Sequence, residues 1–177
     1  MPCEPGHQGP DGGPCEPCAA GKFKAMIGNN SCVKCDPGKT SLKQAATNCS
    51  TCGRDTFSSE NGTECTSCPL NTVSETSSSS VQSCKCNLAY SGPDGGPCTA
   101  CLAGKYKAVN GSSACIKCAG GEYSSAVGQS ICVACAAGKY SPVLGASADS
   151  TCIECPPAKF SAVVGASKCT NMTIAGW

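Results

Sequence analysis

The sequence has few of the side chains that build a large hydrophobic core. Leu, Ile, Val and Phe together account for 22 of the 177 residues, and aromatic residues for only 5%. A globular chain of this length normally carries far more, and so low a content is typical of disorder unless something else supplies order. We therefore expect no single large core, and we expect cross-links or metals to stabilise the fold.

Clusters of charge and long apolar runs are also missing. The net charge is +1, the lysines are scattered singly, and Arg54 is the only arginine. This distribution argues against nucleic acid as a partner, because a nucleic-acid surface needs a basic stripe. No run of 18 apolar residues occurs, so we predict no membrane span in this segment. Met1 leads straight into Pro2 and Cys3, and we expect an exporting segment to lie outside the sequence.

Catalytic motifs are absent as well. His7 is the only histidine, and no Ser, Cys or Asp arrangement around it suggests catalysis, so we interpret it as a solvated side chain. Asp11 and Asp94 each lie in a repeated GPDGGP sequence, which is typical of turns and has too few carboxylates for calcium. We predict that the protein is no enzyme and has neither a cofactor nor a metal site.

Cysteine is abundant, with 20 residues, a level typical of a disulfide scaffold. Most of the cysteines form C-x-x-C pairs separated by 12 to 16 residues. This spacing resembles that of a zinc site, but histidine and acidic partners are lacking, and a redox C-x-x-C would need a βαβ context. We therefore predict that all of the cysteines are oxidised: Cys3, Cys15, Cys18, Cys32, Cys35, Cys49, Cys52, Cys65, Cys68, Cys84, Cys86, Cys98, Cys101, Cys115, Cys118, Cys132, Cys135, Cys152, Cys155 and Cys169.

A unit of 17 residues recurs along the chain, as in the stretch that begins at Cys101. A glycine follows the cysteine at position 3, an aromatic residue at position 5 and a second glycine at position 10, as Gly104, Tyr106 and Gly111 do here. Glycine suits turns that need positive φ, and the two glycines mark a turn on either side of a short alternating segment. This pattern predicts a short β-hairpin in each unit. We expect the ring to form a miniature core, and an exposed binding stripe is the alternative.

A longer period of 83 residues lies over the first. The heptapeptide GPDGGPC occurs at 9–15 and again at 92–98, and each half of the chain holds ten cysteines. We predict two super-repeats, residues 1–85 and 86–169, followed by a tail at 170–177 that starts no third copy. Each half has an even number of cysteines. If the second Cys of each pair bonds to the first Cys of the next pair, no cysteine in either half is left unpaired. A crossed scheme would leave Cys3 and Cys84 unpaired.

The motif C-x2-G-[KE]-[FY]-[SK]-x3-G-x3-C-x2-C resembles the ephrin-receptor-like cysteine-rich repeat, and it also looks like the first module of TNF-receptor-type repeats. The resemblance depends on Cys101, Gly104, Tyr106, Gly111, Cys115 and Cys118 and on their counterparts in the next two units. It implies a module of receptor ectodomains or of surface stalks. It does not indicate which of these functions applies.

Asparagine sequons predict a glycoprotein. The candidate sites are Asn29, Asn48, Asn61, Asn110 and Asn171, and Cys49 occupies the middle position of the second sequon. The Ser/Thr-rich tract at 72–83 lacks both glycine markers, and we expect it to be a flexible loop.

Taken together, these patterns predict a small disulfide-rich fold, in which tandem short β-hairpins form an elongated rod with little helix. We expect an extracellular or cell-surface structural protein, such as a stalk, a surface coat or a filament subunit. Its partner would be another copy of itself, or a continuation in a longer chain. The alternative is a receptor-type ectodomain that binds a protein ligand. The single Arg54 and Trp177 argue against that, because ligand patches usually concentrate such anchors. An intracellular metal store is a third hypothesis.

Overall fold

The structure is a computed structural model that describes residues 1–171. This part of the chain contains short antiparallel β-strands and two 3-10 turns, η1 (Val81–Ser83) and η2 (Asp149–Thr151), and no α-helix. The prediction of disulfide-rich hairpin repeats with little helix is confirmed. Residues 172–177 of the predicted tail lie outside the described residues. The strands are β1 (His7–Gln8), β2 (Glu16–Pro17), β3 (Lys22–Phe23), β4 (Val33–Lys34), β5 (Lys39–Thr40), β6 (Ser50–Thr51), β7 (Thr56–Phe57), β8 (Thr66–Ser67), β9 (Thr72–Val73), β10 (Lys85–Cys86), β11 (Tyr90–Ser91), β12 (Thr99–Ala100), β13 (Lys105–Tyr106), β14 (Ile116–Lys117), β15 (Glu122–Tyr123), β16 (Val133–Ala134), β17 (Lys139–Tyr140), β18 (Ile153–Glu154), β19 (Lys159–Phe160) and β20 (Thr170–Asn171).

Each hairpin pairs two strands that follow one another in the chain. In β3 and β4, Phe23 lies opposite Val33, and in β13 and β14, Tyr106 lies opposite Ile116. Only two residues per strand join the ladder, which is too little for an isolated hairpin to be stable in water. Packing between hairpins and covalent bonds must therefore supply the remaining stability.

One disulfide bond closes each hairpin. The bonded cysteines are 12 to 17 residues apart in sequence, with Cα atoms 5.5 to 5.8 Å apart, and no cysteine is free. We name each hairpin by its two cysteines and count positions from the first of them. The hairpins are 3/15, 18/32, 35/49, 52/65, 68/84, 86/98, 101/115, 118/132, 135/152 and 155/169. This is the sequential arrangement that parity favours.

The chain folds into two compact units. Unit 1 holds Met1–Lys85 together with Asp94–Pro97. Unit 2 holds Cys86–Pro93 and the described residues from Cys98 onward. In unit 1, Asp94 forms an ion pair with Lys85, and the Gly95 N–H donates to the Cys84 carbonyl oxygen over 2.7 Å. The super-repeat boundaries at 85/86 and 169 remain a prediction from the sequence.

The most deeply buried side chains of each unit are cysteines and small polar residues, together with one lysine in each unit. Fully buried side chains include those of Cys118, Cys135, Ser124 and Ser141. The rings at position 5 are half-buried, except that of Phe160, which is exposed. The expectation that each ring forms a miniature core stays a prediction. The side chain that faces the neighbouring hairpin is the one at position 6, where the chains approach too closely for a ring.

The Ser/Thr-rich tract at 72–83 is ordered, contrary to the expectation of a flexible loop. It contains β9 and η1, and Thr72, Ser74 and Ser78 are buried. The Ser58 N–H donates to the Ser78 carbonyl oxygen over 3.1 Å, as position 6 does in other hairpins. The glycine markers are missing because Asn71 and Ser77 adopt the left-handed conformation themselves, both with φ of +62°.

Candidate functional site

A set of backbone hydrogen bonds joins each hairpin to the next within a unit. Between hairpins 118/132 and 135/152, the Gly121 N–H donates to the Ser141 carbonyl oxygen over 2.7 Å. The Gly145 N–H donates back to the Cys118 carbonyl oxygen over 2.8 Å. Backbone groups make these bonds, so they depend on conformation rather than on side-chain identity. The bonds from position 3 to position 6 of the following hairpin are Gly6–Lys24, Gly21–Ser41, Gly38–Ser58, Asp55–Ser74, Ala89–Lys107, Gly104–Ser124, Gly121–Ser141 and Gly138–Ser161.

Position 3 always has positive φ, as the glycine pattern predicts. Glycine is required where the hairpin two places further along comes close. A Cβ on Gly121 would overlap the carbonyl oxygen of Gly165, and one on Gly104 would overlap that of Gly145. At Gly138, by contrast, nothing lies within 4 Å among the described residues. The positions with other residues are Asp55, Asn71, Ala89 and Ala158, whose φ values lie between 60° and 68°.

Position 6 is the buried position of the repeat in every hairpin except 3/15 and 86/98, which have glycine there. Six hairpins have serine at this position, because the space between neighbouring backbones admits only a small side chain. The other two hairpins have Lys24 and Lys107, which are 83 residues apart and stand in equivalent places of the two super-repeats. They are only 5% and 1% exposed. The six serines are Ser41, Ser58, Ser74, Ser124, Ser141 and Ser161, all buried.

Four backbone carbonyl groups surround the ammonium group of Lys107. Its Nζ donates to the carbonyl oxygens of Tyr90 and Gly111 over 2.7 Å. Those of Asn87 and Cys86 accept from it at 3.3 and 3.5 Å. All four acceptors lie in hairpin 86/98 or in the turn of 101/115, so a single side chain ties the two hairpins together.

Lys24 has the same surroundings in unit 1. Its Nζ donates to the His7 oxygen over 2.7 Å and to the Cys3 oxygen over 3.3 Å, and it also bonds the carbonyl group of Gly28. His7, Cys3 and Gly28 correspond to the Tyr90, Cys86 and Gly111 carbonyls across the 83-residue period. The first hairpin of each super-repeat is short and turns its carbonyl groups inward, which leaves a site for an ammonium group.

These carbonyl-bound lysines, Lys24 and Lys107, stabilise the fold through hydrogen bonds to backbone oxygens. A buried ammonium group is tolerated when hydrogen bonds replace its hydration, and here backbone oxygens supply them. Neither lysine was predicted from the sequence, because hydrophobic patterning assigns lysine to the surface. The signal that could have found them was the repetition itself: lysine replaces serine at position 6 only after the two GPDGGPC segments.

A second repeated surface carries the aromatic rings. In unit 2, Tyr123 lies opposite Val133, and Tyr140 lies opposite Ile153. Val133 is 49% exposed and Ile153 is 46% exposed. Pairs of aromatic and β-branched residues across two strands are mutually stabilising, so these side chains support their own hairpins as well as facing solvent.

The predicted glycosylation sites are all at the surface. The side chains of Asn29, Asn48, Asn61, Asn110 and Asn171 are exposed. The structure does not bring them together, since each belongs to a different hairpin. Asn29 donates to a carboxylate oxygen of Asp11 at 3.5 Å, a long and weak contact.

The remaining polar residues form no metal-binding cluster in residues 1–171. No group of three or more His, Cys, Asp or Glu side chains in this range could hold a metal ion. His7 is half-buried, with its Nδ1 atom 3.4 Å from the Pro5 carbonyl oxygen. Asp94 pairs with Lys85, and Asp11 is exposed.

Helical structure in the described chain is limited to short turns. None of its helical segments has the length and apolar character needed to cross a bilayer.

The sequence matches the model of a known protein family over two segments. A family model described as "Tyrosine-protein kinase ephrin type A/B receptor-like" matches residues 6–52 and 121–171, more than half of the chain. The matched segments contain complete hairpins of both units, among them 18/32, 35/49 and 155/169. The resemblance found in the sequence motif is thereby confirmed. Residues 53–120 lie outside the match.

Proposed function

Because the chain belongs to the ephrin type A/B receptor-like family, we propose that this extracellular cysteine-rich module has a structural role, as part of a stalk, a surface coat or a filament. The family and the ten disulfide bonds support a location outside the cell or at its surface. The hydrogen bonds between successive hairpins support a structural role for the module in particular.

The observation that carries the proposal is a set of backbone hydrogen-bonding groups in hairpin 155/169 that have no partner among the described residues. Hairpins 101/115, 118/132 and 135/152 each make three backbone hydrogen bonds to the next hairpin. The carbonyl oxygen of the first cysteine accepts one, and the N–H groups at positions 3 and 6 each donate one. In hairpin 155/169, the Cys155 carbonyl and the N–H groups of Ala158 and Ser161 have no such partner among residues 1–171. A further hairpin, from another copy or from a continuing chain, would satisfy all three.

Association of this kind can continue without closing. A hairpin of one copy that stacks on the last hairpin of another makes a head-to-tail contact, and such contacts build filaments unless the rotation closes a ring. The scarcity of arginine and tryptophan supports this role over ligand binding, because those residues dominate the centres of ligand interfaces.

The structure suggests a direct test of stacking. If another hairpin follows 155/169, its turn comes to lie against Gly138, as the turn at Gly165 lies against Gly121. A methyl group at Gly138 would then block the contact, whereas in the isolated chain it would meet no atom within 4 Å and would cost only left-handed strain. We expect the Gly138→Ala variant to remain monomeric in sedimentation velocity at concentrations at which the wild type associates, with disulfides intact.

Gly12→Ala is the matched control. Gly12 has φ of +76° against +83° at Gly138, and nothing lies within 4 Å of a Cβ at either residue. Both variants therefore bear the same conformational strain, and Gly12→Ala should associate like the wild type. A wild-type chain that stays monomeric at every concentration contradicts the filament.

A receptor-type module that binds a protein ligand is the second candidate. The half-exposed rings of Tyr106, Tyr123 and Tyr140 in successive hairpins of unit 2 favour it, since tyrosine is frequent at binding surfaces. A monomer that binds a soluble protein in a fixed ratio, and loses it on Tyr123→Ser, would support this function over the filament.

A further inference from the structure

Hairpin 35/49 lacks the aromatic ring that both of its neighbours have, Phe23 in hairpin 18/32 and Phe57 in hairpin 52/65. Thr40 occupies position 5, where hairpin 18/32 has Phe23, and it lies opposite Ser50 rather than opposite a residue such as Val33. Thr40 is 6% exposed, although most rings at position 5 are half-exposed. This hairpin therefore has the same backbone as the others, but the two side chains that lie opposite each other on its strands are much smaller.

The missing volume appears as a cavity of about 400 Å³ at the loop of hairpin 35/49. Its lining includes Thr40, Leu42, Gln44, Asn48 and Ser50. The equivalent positions of hairpin 18/32, Phe23 and Val33 among them, line a cavity of only about 180 Å³. Both cavities lie in the same place on the repeat, and the larger one is where the ring is absent.

One residue of the lining, Thr40, has a polar atom that lacks a partner. The Oγ1 atom of Thr40 is buried and has no hydrogen-bond partner in the described chain. Such groups are rare in folded proteins, because burial removes their bonds to water, and each calls for an explanation. An occupant of the cavity with hydroxyl or amide groups would supply the missing partner after a small shift of the side chain.

A covalent occupant begins at the edge of the cavity itself. Asn48, Cys49 and Ser50 form a glycosylation sequon, and Asn48 and Ser50 both line the cavity. Asn48 is exposed, so its amide is accessible for modification. Asn29 lies beside a different cavity, formed with Pro10 and Pro14, while Asn110 lines neither cavity.

We propose that an N-linked glycan on Asn48 places its first N-acetylglucosamine in this cavity, where the sugar ring substitutes for the aromatic side chain of the other hairpins. The inference rests on the extracellular location of the proposed function. The donor is a lipid-diphosphate-linked oligosaccharide. The Asn48 Nδ2 atom bonds to the anomeric carbon, the bond from that carbon to phosphate oxygen breaks, Nδ2 loses a proton, and the lipid diphosphate leaves.

The lining suits a sugar ring. A pyranose has an apolar face of C–H groups and a rim of hydroxyl and amide groups. Leu42 and Ala45 offer apolar contact, and Gln44 and Thr47 offer hydrogen-bonding groups. Because the sugar is tethered through Asn48, its local concentration is high, and a shallow cavity suffices to hold it.

The test uses the complete chain from a glycosylating host, trimmed enzymatically so that a single sugar remains at each site. Amide hydrogen exchange is then followed in hairpin 35/49, at Ser41 among others, and at Cys52, whose N–H donates to the Gly38 carbonyl oxygen of that hairpin. We expect exchange there to be about tenfold faster in Asn48→Gln than in the trimmed wild type, because the hairpin opens locally when the cavity is empty. Asn110→Gln should leave exchange in hairpin 35/49 unchanged.

Two further variants separate the sugar from the side chain that carries it. Ser50→Thr keeps the sequon and should retain slow exchange, whereas Ser50→Ala removes it and should behave like Asn48→Gln. Adding Thr40→Phe to Asn48→Gln should restore slow exchange, because a ring refills the cavity. An unoccupied Asn48 in the native glycoprotein overturns the inference, and so does an occupied one whose removal leaves exchange unchanged. Neither result bears on filament formation, which sedimentation measures separately.

Discussion

Gly121 and Gly165 lie in hairpins two places apart, yet a Cβ on Gly121 would overlap the carbonyl oxygen of Gly165. We predict that Gly121→Ala lowers the free energy of unfolding by roughly 2–5 kcal/mol, the sum of left-handed strain and steric overlap. Gly138→Ala, with nearly the same φ and open space, should cost only about 1–2 kcal/mol. Thermal unfolding under non-reducing conditions measures both. Equal losses in the two variants would show that the close contact is unimportant.

Replacement of a carbonyl-bound lysine should destabilise its unit. Lys107→Met leaves several buried carbonyl oxygens without a donor, and we predict a loss of roughly 2–4 kcal/mol. Lys105→Met, two residues away on a half-exposed side chain, should change stability by less than about 0.5 kcal/mol. Urea unfolding with intact disulfides gives both values. A Lys107→Met variant as stable as Lys105→Met would mean that the carbonyl groups do not need the ammonium group.

The same burial predicts selective chemical protection. Of the 12 lysines, Lys24 and Lys107 should remain unmodified when the folded protein is treated with an amine-acylating reagent, since their Nζ atoms are enclosed. Peptide mass spectrometry after brief labelling identifies the modified residues. Acylation of Lys107 as fast as that of exposed Lys117 would contradict the enclosed site.

The disulfide pairs can be mapped chemically. Proteolysis without reduction should yield peptides that join Cys18 to Cys32 and Cys101 to Cys115, and the equivalent sequential pairs elsewhere. Peptides that link Cys15 to Cys32, or Cys18 to Cys35, would require the crossed scheme instead. Free thiols with bound zinc would overturn the disulfide scaffold itself.

Glycosylation should appear in the intact mass. The bare chain has a mass of 17.6 kDa, and we predict a higher mass for the native protein because its sequons lie on exposed side chains. Mass spectrometry before and after enzymatic removal of N-linked glycans measures the difference. A native protein with the mass of the bare chain would refute this prediction.

The sequence allows the hairpins to be predicted well because their conformation depends on glycine and cysteine spacing. Gly104 and Gly121 mark turns with positive φ, and the structure has them there. The same conformation at Asp55 and Ala158 could not be predicted, because those residues seldom adopt it unless a tertiary contact imposes it. The repeat, rather than the residue type, carries the information at these positions.

The interior was harder to predict than the hairpins. Patterning by hydrophobicity assigns Tyr123 to the core and Ser124 to the surface, whereas in the structure Ser124 is buried more deeply than the half-buried ring of Tyr123. The reason is the close approach of neighbouring backbones at position 6, which favours small side chains over apolar ones. The cavity beside Thr40 was likewise hidden, because an absent ring gives no positive sequence signal.

The sequential disulfide bonds have a mechanical consequence. Each bond closes over its own hairpin, and only two residues separate Cys115 of one bond from Cys118 of the next. When the chain is pulled from its ends, tension passes through the sulfur bridges and bypasses the enclosed residues. The residues inside each loop therefore add no length to an oxidised chain under tension, whereas each reduced bond releases its loop, at about 3.3–3.6 Å per residue. Reduction would lengthen the pulled chain in steps, one hairpin at a time.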